Sequence, residues 1–152
     1  PSLAPGQLGV LLKETLTSQV AAPILSRALE SKEVDDAVAE FRAVVGEFFD
    51  LLNSNRHGIK LLDRCVDHPE IRDLWQTVGR EQPRLLIGRL LEQRAATGQL
   101  RLVEDSRFSA RLLIETLATW AVHIHWDRSP QNLDFTRVRE HTIEYLTRAF
   151  AV

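Results

Sequence analysis

The sequence predicts an all-α protein, a helical bundle of about six helices joined by short loops. Three observations carry that reading. Apolar residues recur every three or four positions, the spacing that lines one side of a helix; Val34, Val38, Phe41, Val45, Phe48 and Leu52 form the cleanest stripe. Each of the six prolines falls at a start, a stop or a kink of such a pattern, where a residue without an N–H does least harm. The stretch Phe108–Trp126 is apolar over most of its circumference, and a helix of that kind must be covered on more than one side.

Taken in order, Gly6–Leu29 aligns Leu8, Leu12, Thr15, Leu16, Gln19 and Val20 on one side of a helix, with Pro5 suited to its first turn and Pro23 restarting it. Ser31 reads as the N-cap of a helix over Val34–Leu52, with Phe49 at the edge of its stripe and Asp36, Glu40, Glu47 and Asp50 opposite. Asn53-Ser54-Asn55 ends that helix and caps a short one, Arg56–Val66, which buries Ile59, Leu62 and Val66. Asp67-His68-Pro69-Glu70 starts a long helix to Ala96, bent at Pro83 with Gly79 as a weak point one turn earlier, and Gly98 stops it. Leu100 and Leu102 alternate over Gln99–Glu104, too briefly for a strand. Asp105 or Ser106 caps the central helix, and Asp127 to Pro130 stop it. Asp134 caps a last helix to Phe150 whose stripe runs through Phe135, Val138, Thr142, Tyr145, Leu146 and Ala149. Arg139 interrupts that stripe, either snorkelling to water or pairing with a carboxylate such as Glu115.

Along the central helix, Ala110, Leu113, Ile114, Leu117, Trp120, Ala121 and Ile124 form a purely apolar arc. The neighbouring arc mixes Phe108, Leu112 and Trp126 with Thr116, Thr119 and His123. One arc packs on the rest of the domain; the other needs a second subunit, a ligand, or both.

Composition narrows the function. The chain has 152 residues, 44% of them hydrophobic and 26% charged, which fits one compact domain with a real core. A net charge of −2 offers no basic face for phosphates. No apolar run is long enough to span a membrane, and no secretory signal is present. The single cysteine, Cys65, cannot pair internally, which fits a reducing, cytoplasmic setting. The chain begins at Pro1 and contains no methionine, so it reads as a processed product or a piece of something longer.

Catalytic and metal motifs are missing. No glutamate precedes a histidine by three, His123 and His125 fall on separate helix faces, and Cys65 and His68 lack a second ligand pair. There is no Gly-x-Ser-x-Gly elbow and no glycine-rich phosphate loop. The sequence therefore predicts no enzyme, no cofactor and no metal. What remains is a set of aromatic and short polar side chains on faces expected to converge, the usual make-up of a small-molecule pocket or of a wet subunit interface.

The run Leu51-Leu52-Asn53-Ser54-Asn55-Arg56 through Leu61-Leu62-Asp63-Arg64, the turn His68-Pro69-Glu70, the stretch Arg94 to Arg101, and Glu115 to His123 followed by Trp126-Asp127 resemble the C-terminal half of tetracycline-repressor-type (TetR-family) transcriptional regulators. The order and spacing of these segments carry the resemblance, which covers nearly the whole chain. It implies a regulatory domain that binds a small effector in a core pocket and dimerises through its last two helices. It implies also that operator DNA is bound only by an N-terminal helix-turn-helix head, which nothing before Gly6 could form.

On this reading the pocket gathers Phe48, Phe49, Trp75, Val78, Gln82, Leu86, Thr116, Thr119, Trp120 and His123 around a small apolar or aromatic effector. The last two helices form a four-helix-bundle homodimer interface through Leu113, Leu117, Ile124, Val138, Arg139, Thr142, Tyr145, Leu146 and Ala149. Two other classes stay open: a helical protein-interaction module with a filled core, and a helical-bundle enzyme or metal protein.

Overall fold

The computed structural model describes residues 7–19, 21–65, 67–102, 105–129 and 131–152. It is all-helical, with no strand among the described residues. The expectations for Pro1, Pro5, Gly6, Val20, Val66, Glu104 and Pro130, and for the burial of Leu8, Leu12, Leu16 and Gln19, lie outside what is described.

The first segment is divided where Pro23 predicts, into α1 (Gln7–Gln19) and α2 (Pro23–Glu30). α2 has no side-chain cap of its own. Glu47 supplies one from elsewhere, its carboxylate accepting from the Ile24 and Leu25 N–H groups at 2.8 and 3.0 Å. α3 (Ala37–Ser54) starts later than Val34, and its cap is Asp36, which accepts from the Ala39 N–H at 2.8 Å. Ser31 instead closes α2. The cause is a tertiary one: Arg94 binds the Ser31 and Lys32 carbonyls and holds those residues out of the helix.

α4 (Arg56–Arg64) follows after a single residue, Asn55. Asn55 does not cap it, because its side-chain amide turns back to donate to the Leu51 carbonyl at 2.9 Å. The long helix expected from Pro69 to Ala96 has three parts. α5 (Pro69–Leu74) leads into a π-helical segment (Trp75–Glu81), then α6 (Gln82–Ala96). Pro83 has no N–H to continue an α-helical ladder, and the widened turn before it lets Gln82 donate to Thr77 instead. Gly98, at φ +70, ends α6, with Gly98 and Gln99 donating to Ala95 and Arg94.

α7 (Ser106–Ala121) is capped by Asp105. It stops short of Trp126, tightening into a 3-10 turn over His123–Trp126. That turn docks His125 on Phe135, with ring centroids 4.7 Å apart, and Trp126 on His57, 5.6 Å apart. α8 (Phe135–Phe150) is capped by Asp134 as expected. Arg139 takes the second alternative, pairing with a carboxylate, but with Asp50 on α3 and not Glu115, through two hydrogen bonds of 2.7 and 2.6 Å.

α3 is the hub, packing against α2, α7 and α8, while α7 also packs on α6. One apolar core runs between them, with Phe41, Phe49, Leu90, Leu91, Leu113 and Leu117 at most 1% exposed. No helix among the described residues is long and apolar enough to cross a membrane.

Candidate functional site

The purely apolar arc of α7 is the one the domain covers: Leu113 and Leu117 are buried in the core at 1% and 0% exposure. They therefore cannot reach a partner subunit, which corrects their assignment to the dimer face. The mixed arc looks outward, with Phe108 and Leu112 each 56% exposed. Thr116 and Thr119 do not need a ligand to satisfy them. Their hydroxyls donate to Leu112 and Glu115 carbonyls one turn back on their own helix, at 2.8 and 2.9 Å. His123 is exposed on the 3-10 turn.

The predicted pocket residues thus separate into several places. Phe48 and Trp75 meet at a cavity of about 220 Å³. Phe49 is buried against Phe135, with ring centroids 5.7 Å apart, and Leu86 packs on the core. Val78 is half-buried and Gln82 exposed, neither lining the cavity. Thr116 and Trp120 line a different feature, a groove between α7 and α8. Helical periodicity put the two arcs of α7 side by side correctly, but it carries no information on which arc faces the core.

The cavity draws its described lining from six helical elements and the junction between α3 and α4. α3 contributes Phe48, Leu51 and Leu52, and the α3–α4 junction contributes Asn55. α4 adds Gly58, Ile59, Leu61 and Leu62; the π-helical segment adds Trp75 and Gly79; Pro83, Ile114 and Thr15 close it. Two turns of α4 present an apolar side here because the chain bends at Asn55. Sequence reasoning passed over Asn55, Gly58 and Ile59 as lining residues; the close succession of capping residues at 53–55 was the signal for that bend.

Trp75 forms the wall with the most specific geometry. Its indole N–H donates to Asp63 Oδ1 at 3.2 Å, and Arg80 donates to the same oxygen at 3.2 Å. The ring lies against Gly79, where a Cβ would fall 2.0 Å from Trp75 Cε3. Glycine is required there by the ring, not by the backbone. None of the described lining residues carries a charge, so the cavity suits an apolar guest.

The groove between α7 and α8 is the second feature. Val138 and Thr142 form its floor at 8% exposure each, Leu146 is partly buried, and Tyr145 stands 75% exposed at its edge. Asn132, Leu133, Asp134, Arg137 and His141 complete it, with Thr116 and Trp120 from α7. Ala149 is exposed and Ile124 half-buried, both outside the groove lining, and Arg139 faces α3. Among the described residues, no three histidine, cysteine or acidic side chains come close enough together to hold a metal ion.

Fold and site together define an all-helical domain with an uncharged, ligand-sized cavity and a separate open helical face. Compared with family models, with curated proteins and with solved structures, the chain matches none of them.

Proposed function

We propose that this chain is the effector-binding and dimerisation domain of a tetracycline-repressor-type transcriptional regulator, a cytoplasmic repressor without catalytic activity. The cavity beside Trp75 carries the reading. A small apolar molecule entering it would touch α3, α4, the π-helical segment and Thr15 on α1 at once. α1 also packs against α5 and the π-helical segment. Occupancy of the cavity would bias where α1 sits, and through it a DNA-binding head carried ahead of this domain in the intact regulator.

The open α7–α8 face supports the dimer half of the proposal. A second copy across a two-fold axis would make a four-helix bundle. It would cover Tyr145, Leu112 and Phe108, which the single chain leaves exposed.

The energetics are modest. A guest burying about 250 Å² of apolar surface gains roughly 6 kcal/mol at ~25 cal/mol per Å², and association takes back about 4 kcal/mol or more. Tight binding therefore needs the preformed walls and at least one good polar contact. The test is a set of small neutral aromatics, read by melting temperature and tryptophan emission. Saturable binding that raises the melting temperature supports the proposal; no response across the set, with the dimer intact, removes the effector half.

A further inference from the structure

Asn55 gives the cavity an oriented polar side chain. Its Nδ2 donates to the Leu51 carbonyl at 2.9 Å. A carbonyl can only accept, so that bond fixes which end of the amide points away. Oδ1 is left as an acceptor with no hydrogen bond to it among the described residues. Trp75 cannot serve as a donor to a guest, because its N–H is already held by Asp63. Among the described lining residues, the other polar side chain that could meet a guest is the Thr15 hydroxyl.

These facts discriminate between chemical classes. A carboxylate guest would bury its charge among described lining residues none of which is cationic, and an unpaired buried charge is disfavoured more than any other group. It would also bring its oxygens toward an acceptor. A pure hydrocarbon would fit but would cover Oδ1 without pairing it, at the cost of its desolvation. A neutral guest with a hydrogen-bond donor meets both conditions.

Size narrows the class further. A cavity of about 150 Å³ accepts benzene. Scaled by volume, the 220 Å³ here takes roughly nine non-hydrogen atoms. Phe48 and Trp75 provide aromatic walls for a flat guest.

We infer, building on the effector reading, that the cavity selects a neutral one-ring aromatic carrying a single hydrogen-bond donor, a small substituted phenol, with its hydroxyl donating to Asn55 Oδ1. The ring lies against Trp75 and Phe48. The specificity resides in Asn55 and not in the threonines or histidine of α7.

The test uses three ligands of similar shape: para-ethylphenol, para-ethyltoluene and para-ethylbenzoate. Each is titrated by tryptophan emission and thermal shift into the parent chain and into Asn55→Leu. Hydrocarbon and phenol differ in their own hydration, so the informative quantity is the change in their affinity ratio between the two proteins. The phenol's advantage over the toluene is expected to fall about ten-fold in Asn55→Leu, and the benzoate should not bind saturably to the parent. An unchanged ratio, or a benzoate that binds as tightly as the phenol, overturns the inference while leaving an effector cavity in place. If none of the three binds the parent, the effector reading itself fails. Should Asn55→Leu not fold, the Asn55 side-chain amide resonance of the parent is followed instead. It should move with the phenol and not with the toluene; equal movement overturns the inference.

Discussion

Arg94 is wholly buried and binds Glu40 through two hydrogen bonds, Nε to Oε2 at 2.8 Å and Nη2 to Oε1 at 3.0 Å. Its remaining donors go to the carbonyls of Ala28, Ser31 and Lys32. All five guanidinium N–H groups are thereby used, and α6 is tied to α3, to α2 and to the loop between them. Arg94→Met leaves a carboxylate and three carbonyls without their donor. The expected loss is about 3–5 kcal/mol, measured from the denaturant midpoint at unchanged slope. Arg94→Met with Glu40→Leu recovers only part, since the carbonyls remain unpaired. A loss below about 1 kcal/mol, no more than an exposed pair contributes, would show that the guanidinium does not hold this corner together.

Trp75 and Gly79 make the opposite kind of prediction. At an ordinary helical site Gly→Ala stabilises by up to about 1 kcal/mol. At Gly79 the new Cβ would collide with the indole, so Gly79→Ala must move the ring off Asp63 or into the cavity. The expected outcome is a destabilisation of about 1–3 kcal/mol, a shifted tryptophan emission, and ligand affinity weakened by roughly ten-fold or more. Increased stability with ligand binding unchanged would contradict the position of the ring.

Much of this fold is legible in the sequence, and the failures have a common cause. Pro23, Pro69, Gly98, Asp105 and Asp134 each mark a boundary where they stand, because capping and ring constraints act within one turn. The polar residues opposite the apolar stripe of α3 have distant partners: Glu40 binds Arg94, Glu47 caps α2 and Asp50 holds Arg139. Periodicity separates apolar from polar faces; it does not reveal that a polar face meets cations and orphan N–H groups from distant segments. The same blindness placed Thr116, Thr119 and His123 in the pocket. Hydroxyls that bond within their own helix leave no sequence signature distinguishing them from hydroxyls that wait for a ligand.

The α7–α8 face predicts an oligomeric state. Tyr145 is 75% exposed in the single chain, so Tyr145→Glu should leave the fold intact. Placed near a two-fold axis, the two like charges would oppose association. Light scattering should give a dimer for the parent and a folded monomer for the variant, with unchanged helical content. A dimer of equal affinity in Tyr145→Glu would locate the interface on another face.

Acid should weaken the α4–α8 corner. Burial, and then the nearby charges of Arg56 and His57, hold the His125 imidazole below its ordinary value near 6.5. The unfolded chain thus takes up this proton first as the pH falls. Stability from neutral His125 is fully present above the unfolded value and declines as pH drops from there through the lower folded value. The melting temperature should decrease on acidification below about pH 6.5, and His125→Gln should flatten that slope. A slope identical in parent and variant would mean that His125 does not contribute.

The most direct test of the effector cavity is a crystal of the chain soaked with para-iodophenol and measured for anomalous scattering. The account predicts one strong iodine peak in the cavity, beside Trp75 and Ile59, with the phenol oxygen within hydrogen-bonding distance of Asn55 Oδ1. A peak found only in the groove between α7 and α8, or no peak in the cavity at saturating ligand, would contradict it.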